Sequence, residues 1–331
     1  MNQILGADFR VSELSPVIKP GNSSFVAADP SLLTPDESPD GLWHIFFHTT
    51  FGVRHAVSED GIRFEKSEKI FGRAMRPDIN RIGDRYYLFY ERTRPIIFNG
   101  LNVLNLAKWK SEIYVSESED LKQWSKPKPV ITHTREYEES ERGISISNPF
   151  YLCDNCISRL YYSCGLTYVE DCGFCEPTYI SYAESKRADG DYVSAESPVI
   201  KPDPESIYTN ICSGCLKVYK LKDGYLGIQN GIYRQGGISK SAIMALSSRD
   251  GLNFRFEKTL IEPDGNENSW MGQYVYASHL VKYGNKLRLY FNARNKSDML
   301  SGRECIGFAS AEITIKNIQG NKNVKKIHSV L

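Results

Sequence analysis

Acidic side chains stand at the ends of apolar, Tyr-rich segments at four places in this sequence. They are Asp29 in Ala28-Asp29-Pro30-Ser31, Asp78 in Arg76-Pro77-Asp78-Ile79, Glu91 directly after Tyr86-Tyr87-Leu88-Phe89-Tyr90, and Glu176 in Phe174-Cys175-Glu176-Pro177. Carboxyls gathered at strand ends can do acid–base work when their environments differ, one staying protonated where another is ionised. A carboxylate before a strand also has a plainer use, accepting backbone N–H groups in a turn, and that reading stays open for each of them. Arg92, Arg94, Arg142, Arg234 and Arg294 occur in the intervening segments, with Tyr168, Tyr233, Trp270 and Tyr276. Aromatic faces suit the apolar faces of sugar rings, and paired guanidinium donors suit carboxylate or phosphate. Together they point to an anionic sugar, a phosphate nucleophile or a sugar phosphate, although any single arginine reads equally as a solvated or scaffold residue.

Cysteine spacing offers a second chemistry. Six of the eight cysteines form C-x-x-C pairs, Cys153/Cys156, Cys172/Cys175 and Cys212/Cys215. Two such pairs can wrap a tetrahedral zinc. Small buried or hairpin residues, and a disulfide or redox role, are the other readings, and nothing else in the chain resembles a zinc module.

The elements that must position these groups show themselves as repeats. Pro-Val-Ile-Lys-Pro occurs at 16–20 and again at 198–202, with weaker copies at 68–71, 129–132 and 259–263. The spacing of about 50–70 residues is that of a propeller blade. Before each copy lies a strand ending in a turn, as in Val57-Ser58-Glu59-Asp60-Gly61 and Leu246-Ser247-Ser248-Arg249-Asp250-Gly251. Earlier still comes a two-stranded hairpin, clearest in 79–90 with Gly83-Asp84 at its tip. Four strands per unit and five units predict an all-β fold, a five-bladed β-propeller of four-stranded antiparallel blades. One domain is expected over 1–331: an N-terminal strand in 1–23, centred on residues 15–19 and closing the last blade, blades over 24–313, and a polar tail over 314–331 with Lys322, Lys325 and Lys326. Numbering the strands of a blade A to D from the axis outward, long B–C links at 91–110, 164–178, 229–241 and 292–305 gather at one face, where the A strands also begin, and a site is expected there.

Composition excludes several classes. With 41 basic and 40 acidic residues, a net charge of +1 and no charge blocks, the chain lacks the basic excess of a nucleic-acid coat. No apolar run reaches the ~20 residues of a membrane helix. The start lacks a basic region followed by an apolar stretch, so a cytoplasmic protein is expected.

Ala28-Asp29-Pro30-Ser31, Arg76-Pro77-Asp78-Ile79 and Asp120-Leu121-x-x-Trp124, set in this blade pattern, resemble the five-bladed glycosidase superfamily. That superfamily includes the arabinanases and β-xylosidases of glycoside hydrolase family 43, the invertases and the levansucrases. The resemblance implies Asp29 as general base or nucleophile. It also implies a second aspartate tuning the acid, and a glutamate acid in a Glu-Gly-Pro or Glu-Cys setting. The chain departs from the pattern at Asn148, where the third blade usually has an aspartate, and at Cys212-Ser213-Gly214-Cys215, which lacks the fourth-blade glutamate. The assignment that follows is Asp29 as base or nucleophile, Glu176 as acid and Asp78 as the group raising the acid's pKa by like charge. Glu91 is a close alternative acid, and Glu91, Arg94, Asn148, Tyr233, His279 and Arg294 are expected to bind substrate. No cofactor is required. The resemblance places a histidine near the axis, in some members beside calcium or its water. His279 is the candidate here, and a packed core histidine is the alternative. The expectation is a glycoside-active enzyme, hydrolase or transferase, with a carbohydrate ligand. A glycoside phosphorylase or transglycosidase, a non-catalytic carbohydrate-binding propeller and a zinc-holding scaffold are the alternatives.

Overall fold

The computed structural model describes residues 1–312 apart from Asn22, Leu104, Met299 and Leu300. The expected tail over 314–331 lies outside the described residues. The chain enters through a short helix α1 (Asn2–Leu5) and strand β1 (Arg10–Val11). Blade 1 then comprises β2 (Ala28–Leu33), β3 (Trp43–Thr49), β4 (Gly52–Ser58) and β5 (Glu68–Phe71). Blade 2 comprises β6 (Ala74–Ile82), β7 (Arg85–Thr93), β8 (Trp109–Ser118) and β9 (Lys128–Ile131), with helix α2 (Ile96–Val103) between β7 and β8. Two short strands, β10 (Glu139–Ser140) and β11 (Gly143–Ile144), extend it, β11 lying parallel to β8. Blade 3 is β12 (Ile146–Asp154), β13 (Ile157–Val169), β14 (Phe174–Ser185) and β15 (Val193–Ser194). Blade 4 is β16 (Cys212–Leu221), β17 (Gly224–Gln235), β18 (Ile238–Ser248) and β19 (Phe254–Ile261). Blade 5 is β20 (Tyr274–Tyr283), β21 (Lys286–Arg294) and β22 (Glu304–Glu312), completed by β1. The five-bladed all-β propeller read from the repeats is the observed fold. No helix among the described residues is long and apolar enough to cross a membrane.

The repeated pentapeptide has one structural meaning in both copies. Ile18 bridges Ile306 on the third strand of blade 5, and Ile200 bridges Ile180 on the third strand of blade 3. Val17 and Ile18 both donate N–H to the Ile306 carbonyl (2.8 and 3.1 Å), and Val199 and Ile200 do the same to Ile180 (2.8 and 3.1 Å). Flanking prolines have no N–H to give, which limits each contact to a single bridge. The regular part of the closing strand therefore lies earlier than residues 15–19, at β1, where Arg10 and Val11 pair Ser310 and Ala309.

Turns between the third and fourth strands share a Ser-x-Asp clasp. Asp60, Asp120 and Asp250 each accept two backbone N–H groups from the residues that follow, and each binds the serine two residues before it. The glycine beyond Asp60 and Asp250 links blades. Tyr290 Oη donates to the Gly61 carbonyl (2.8 Å) and Tyr161 Oη to the Gly251 carbonyl (2.7 Å). Gly61 has φ +72°, and a Cβ there would sit 2.8 Å from the Trp43 ring. The core lies within and between the blades, its largest fully buried side chains including Trp43, Tyr90, Tyr161, Tyr162, Tyr274 and Tyr290.

Two of the expected long links are not loops. Over 164–178 and 229–241 the strands β13–β14 and β17–β18 continue upward as tall hairpins, turning at Asp171–Gly173 and Gly236-Gly237. Over 91–110 the long link carries helix α2.

Candidate active site

Each innermost strand is interrupted at the same point. Pairing skips between Ala28 and Ser31, Met75 and Asp78, Ser147 and Phe150, Cys212 and Cys215, and Val275 and Ser278. Each skip is a β-bulge, which re-aims side chains at a sheet rim. Three bulges are X-Pro pairs with X in the left-handed region: Asp29 (φ 53°), Arg76 (φ 52°) and Asn148 (φ 49°). A non-glycine residue held there costs about 1–3 kcal/mol, a cost characteristic of functional sites. The proline register makes Arg76, not Asp78, the blade-2 counterpart of Asp29.

These bulges ring a cavity enclosing about 670 Å³ of space, including its open mouth, lined among others by Asp29, His48, Arg76, Asn148, Glu176 and Glu304. Asp29 Oδ2 lies 3.0 Å from His48 Nδ1. Its backbone N–H donates to Asn292 Oδ1 (3.1 Å), and Asn292 Nδ2 donates to Glu304 Oε2 (3.1 Å). Burial works to raise the Asp29 pKa. The His48 hydrogen bond and charge, with Arg76 and Lys217, outweigh it, so the carboxyl sits below its ordinary value. Among the described residues, no side chain clasps Glu176 in this way. Burial pushes it up to about 8, Arg76 and Arg294 oppose the shift, and the charges of Glu304 and Asp29 reinforce it. Glu304 is raised as well, chiefly by burial, although Arg294 Nη1 stands 3.2 Å from its Oε1. One cavity thus sets an aspartate held below its ordinary pKa beside a glutamate raised to about 8.

The other expected residues fall into two groups. Asn148 lines the cavity. Glu91 is fully buried and ion-pairs with Arg76, while its Oε1 has no partner among the described residues. Arg294 supports the site from behind through Glu304. Asp78 is absent from the lining. It is buried one residue past the bulge, where Oδ2 accepts the Tyr151 N–H (2.8 Å) and Asn80 Nδ2 (2.7 Å), locking blade 3 to blade 2. Ser31, its blade-1 counterpart, accepts the Ile79 N–H (3.0 Å) in the same way. His279 is half-buried, its Nδ1 3.3 Å from Ser31 Oγ, and desolvation with the Lys217 charge pushes its pKa down to about 3. Arg94 is exposed over Phe98 and Tyr233 is buried edge-on to Tyr208, both away from this cavity.

Glu304 was not anticipated. Its signal was available, because Glu304-Cys305 is a Glu-Cys pair at the end of the 292–305 link. Tyr276 and Asn230 also line the cavity, and Tyr276 Oη and Asn230 Nδ2 are buried donors with no partner among the described residues. Buried donors are rarely left unsatisfied, so these two are groups for a ligand to meet.

No three His, Cys, Asp or Glu side chains gather to hold an ion among the described residues, and all eight cysteines are free. A calcium ion beside His279 does not fit, because the buried Lys217 ammonium already places its charge on Asp78 and His279.

No protein-family model and no curated protein matches the sequence. Solved structures do match the fold. The catalytic domain of a Coprinopsis cinerea GH62 α-L-arabinofuranosidase superimposes with a TM-score of 0.64 at 15% identity, covering 92% of this chain and 97% of that one. A family 117 glycoside hydrolase from Zobellia galactanivorans gives 0.60 at 14% identity, covering 98% and 96%. A β-1,2-mannobiose phosphorylase from Listeria innocua gives 0.61 at 12% identity, covering 92% and 97%. The chain therefore has the fold of the five-bladed propeller glycoside hydrolases.

Proposed function

We propose that this chain cleaves or transfers glycosides by carboxylate acid–base catalysis in the cavity ringed by the strand-A bulges. The observation that carries this reading is the divergence of two carboxyls in one cavity, Asp29 held below its ordinary pKa and Glu176 raised to about 8. Glycoside cleavage needs that division of labour. Glu176 gives its proton to the departing oxygen as the bond to the anomeric carbon breaks. Asp29 removes a proton from the incoming water or hydroxyl as it bonds that carbon, or bonds the carbon itself and is released in a second step. Glu304 takes the tuning role first assigned to Asp78, since its charge raises Glu176. Tyr276 Oη and Asn230 Nδ2 offer donors to sugar hydroxyls. Eight free cysteines fit a reducing compartment, and a cytoplasmic location belongs to this reading; an oxidised extracellular pool of the protein would contradict it.

The test is incubation with a panel of aryl glycosides and oligosaccharides, with and without phosphate, for the wild type and Asp29→Asn. Turnover by the wild type, reduced at least ~10²–10⁴-fold in a variant that keeps its fold, is expected. Sugar binding without turnover, unchanged by Asp29→Asn, would establish a carbohydrate-binding propeller instead.

A further inference from the structure

A second cavity adjoins the first and differs from it in chemistry. The two share Arg76, Phe174, Cys175 and Pro177, the last two flanking Glu176. The second is lined further by Trp109, Tyr168 and Arg142, and no acidic side chain lines it. Arg142 lies with its guanidinium 4.3 Å from the centre of the Tyr168 ring and, among the described residues, has no carboxylate within ion-pair distance. Its backbone is fixed, its carbonyl accepting the Trp109 N–H (2.8 Å) and Asn102 Nδ2 (3.2 Å). A half-buried guanidinium stacked on an aromatic ring, with its charge unanswered, is organised to receive an oxyanion at little further ordering cost. Trp109, Tyr168 and Phe174 supply flat apolar surface beside it.

Resting on the proposed glycoside chemistry, we infer that this second cavity receives the leaving group. We further infer that this leaving group is planar and carries a carboxylate seated on Arg142. The acid, Glu176, lies between two residues common to both cavities, where the oxygen joining sugar to leaving group would pass. Arg142 is then a specificity residue for the part of the substrate that departs.

Because a leaving group can bind without being released by catalysis, the test uses 4-hydroxybenzoate, its neutral amide 4-hydroxybenzamide, and inorganic phosphate. Each is titrated calorimetrically into the wild type, Arg142→Gln, Arg142→Lys and Asp29→Asn. The expected result is preference for the benzoate over the benzamide by at least about tenfold. That preference should vanish in Arg142→Gln, persist in weakened form in Arg142→Lys and be unchanged in Asp29→Asn. Equal affinity for the two phenols, no binding of either, or a preference surviving Arg142→Gln would overturn the inference. Binding of phosphate alone, lost in Arg142→Gln, would assign the oxyanion to an attacking phosphate and overturn the leaving-group role. If the benzoate preference holds while the glycoside panel shows no turnover, the catalytic reading fails and the anion site survives it.

Discussion

On the proposed mechanism, the alkaline limb of the pH–rate profile is expected to follow Glu176. At pH 7 a carboxyl with a pKa of about 8 is roughly ten parts protonated to one ionised, whereas an ordinary glutamate near 4.5 is protonated roughly once in 300. The environment therefore supplies close to a ~300-fold gain in the acid form, and raising the pH removes it. The measurement is kcat/KM from pH 5 to 10, which reports the free enzyme, using paired aryl glycosides of a sugar that the panel identifies. One carries a phenol leaving group that needs protonation, the other a dinitrophenol that departs without it. For the phenyl substrate, kcat/KM is expected to fall about tenfold per pH unit above pH 8. Glu176→Gln should lower the phenyl rate by ~10²–10⁴-fold, lower the dinitrophenyl rate far less, and abolish the alkaline limb. An unaltered limb in Glu176→Gln, or equal losses on both substrates, would refute the assignment of Glu176 as acid.

Three other perturbations probe its surroundings. Glu304→Gln removes a like charge that raises Glu176, so the alkaline limb should move to lower pH in the same assay. His48→Ala removes the hydrogen bond and charge holding Asp29 down, so burial should dominate and the acid limb should move upward, towards neutrality. Arg76→Met leaves Glu91 fully buried and unpaired, an expected loss of about 3–5 kcal/mol in urea unfolding, with much of it restored in the double variant Arg76→Met/Glu91→Leu.

The blade plan was legible because its signals repeat and each has a local cause. Pro-Val-Ile-Lys-Pro marks the same single bridge in blades 3 and 5, and the Ser-x-Asp clasp recurs at Asp60, Asp120 and Asp250. The site was less legible because aligning acids by type hid the proline register. Asp78 resembles Asp29 in chemistry, yet lies two residues further along the bulge and serves the joint between blades 2 and 3. Glu304 was legible as a Glu-Cys pair, but its place beside Asp29 was not, because closure of the ring, through Asn292, brings the two together. The glycines at 173 and 236–237 read as loop but turn tall hairpins, and α2 was hidden by Asn99-Gly100 within an otherwise apolar turn. The positions of Asp29 and Glu176 follow from bulge and hairpin geometry. Burial raises both carboxyls; the His48 hydrogen bond and charge, with Arg76 and Lys217, reverse it at Asp29, whereas at Glu176 the charges of Glu304 and Asp29 add to it.

The most direct measurement is the titration of the carboxyl groups themselves, by NMR of protein labelled with ¹³C at Asp and Glu side-chain carboxyls. Asp29→Asn and Glu176→Gln spectra assign the two resonances. The account predicts a Glu176 midpoint close to 8 and an Asp29 midpoint below the ordinary carboxylate value. Glu176 titrating between 4 and 5, alongside the surface glutamates, would contradict it.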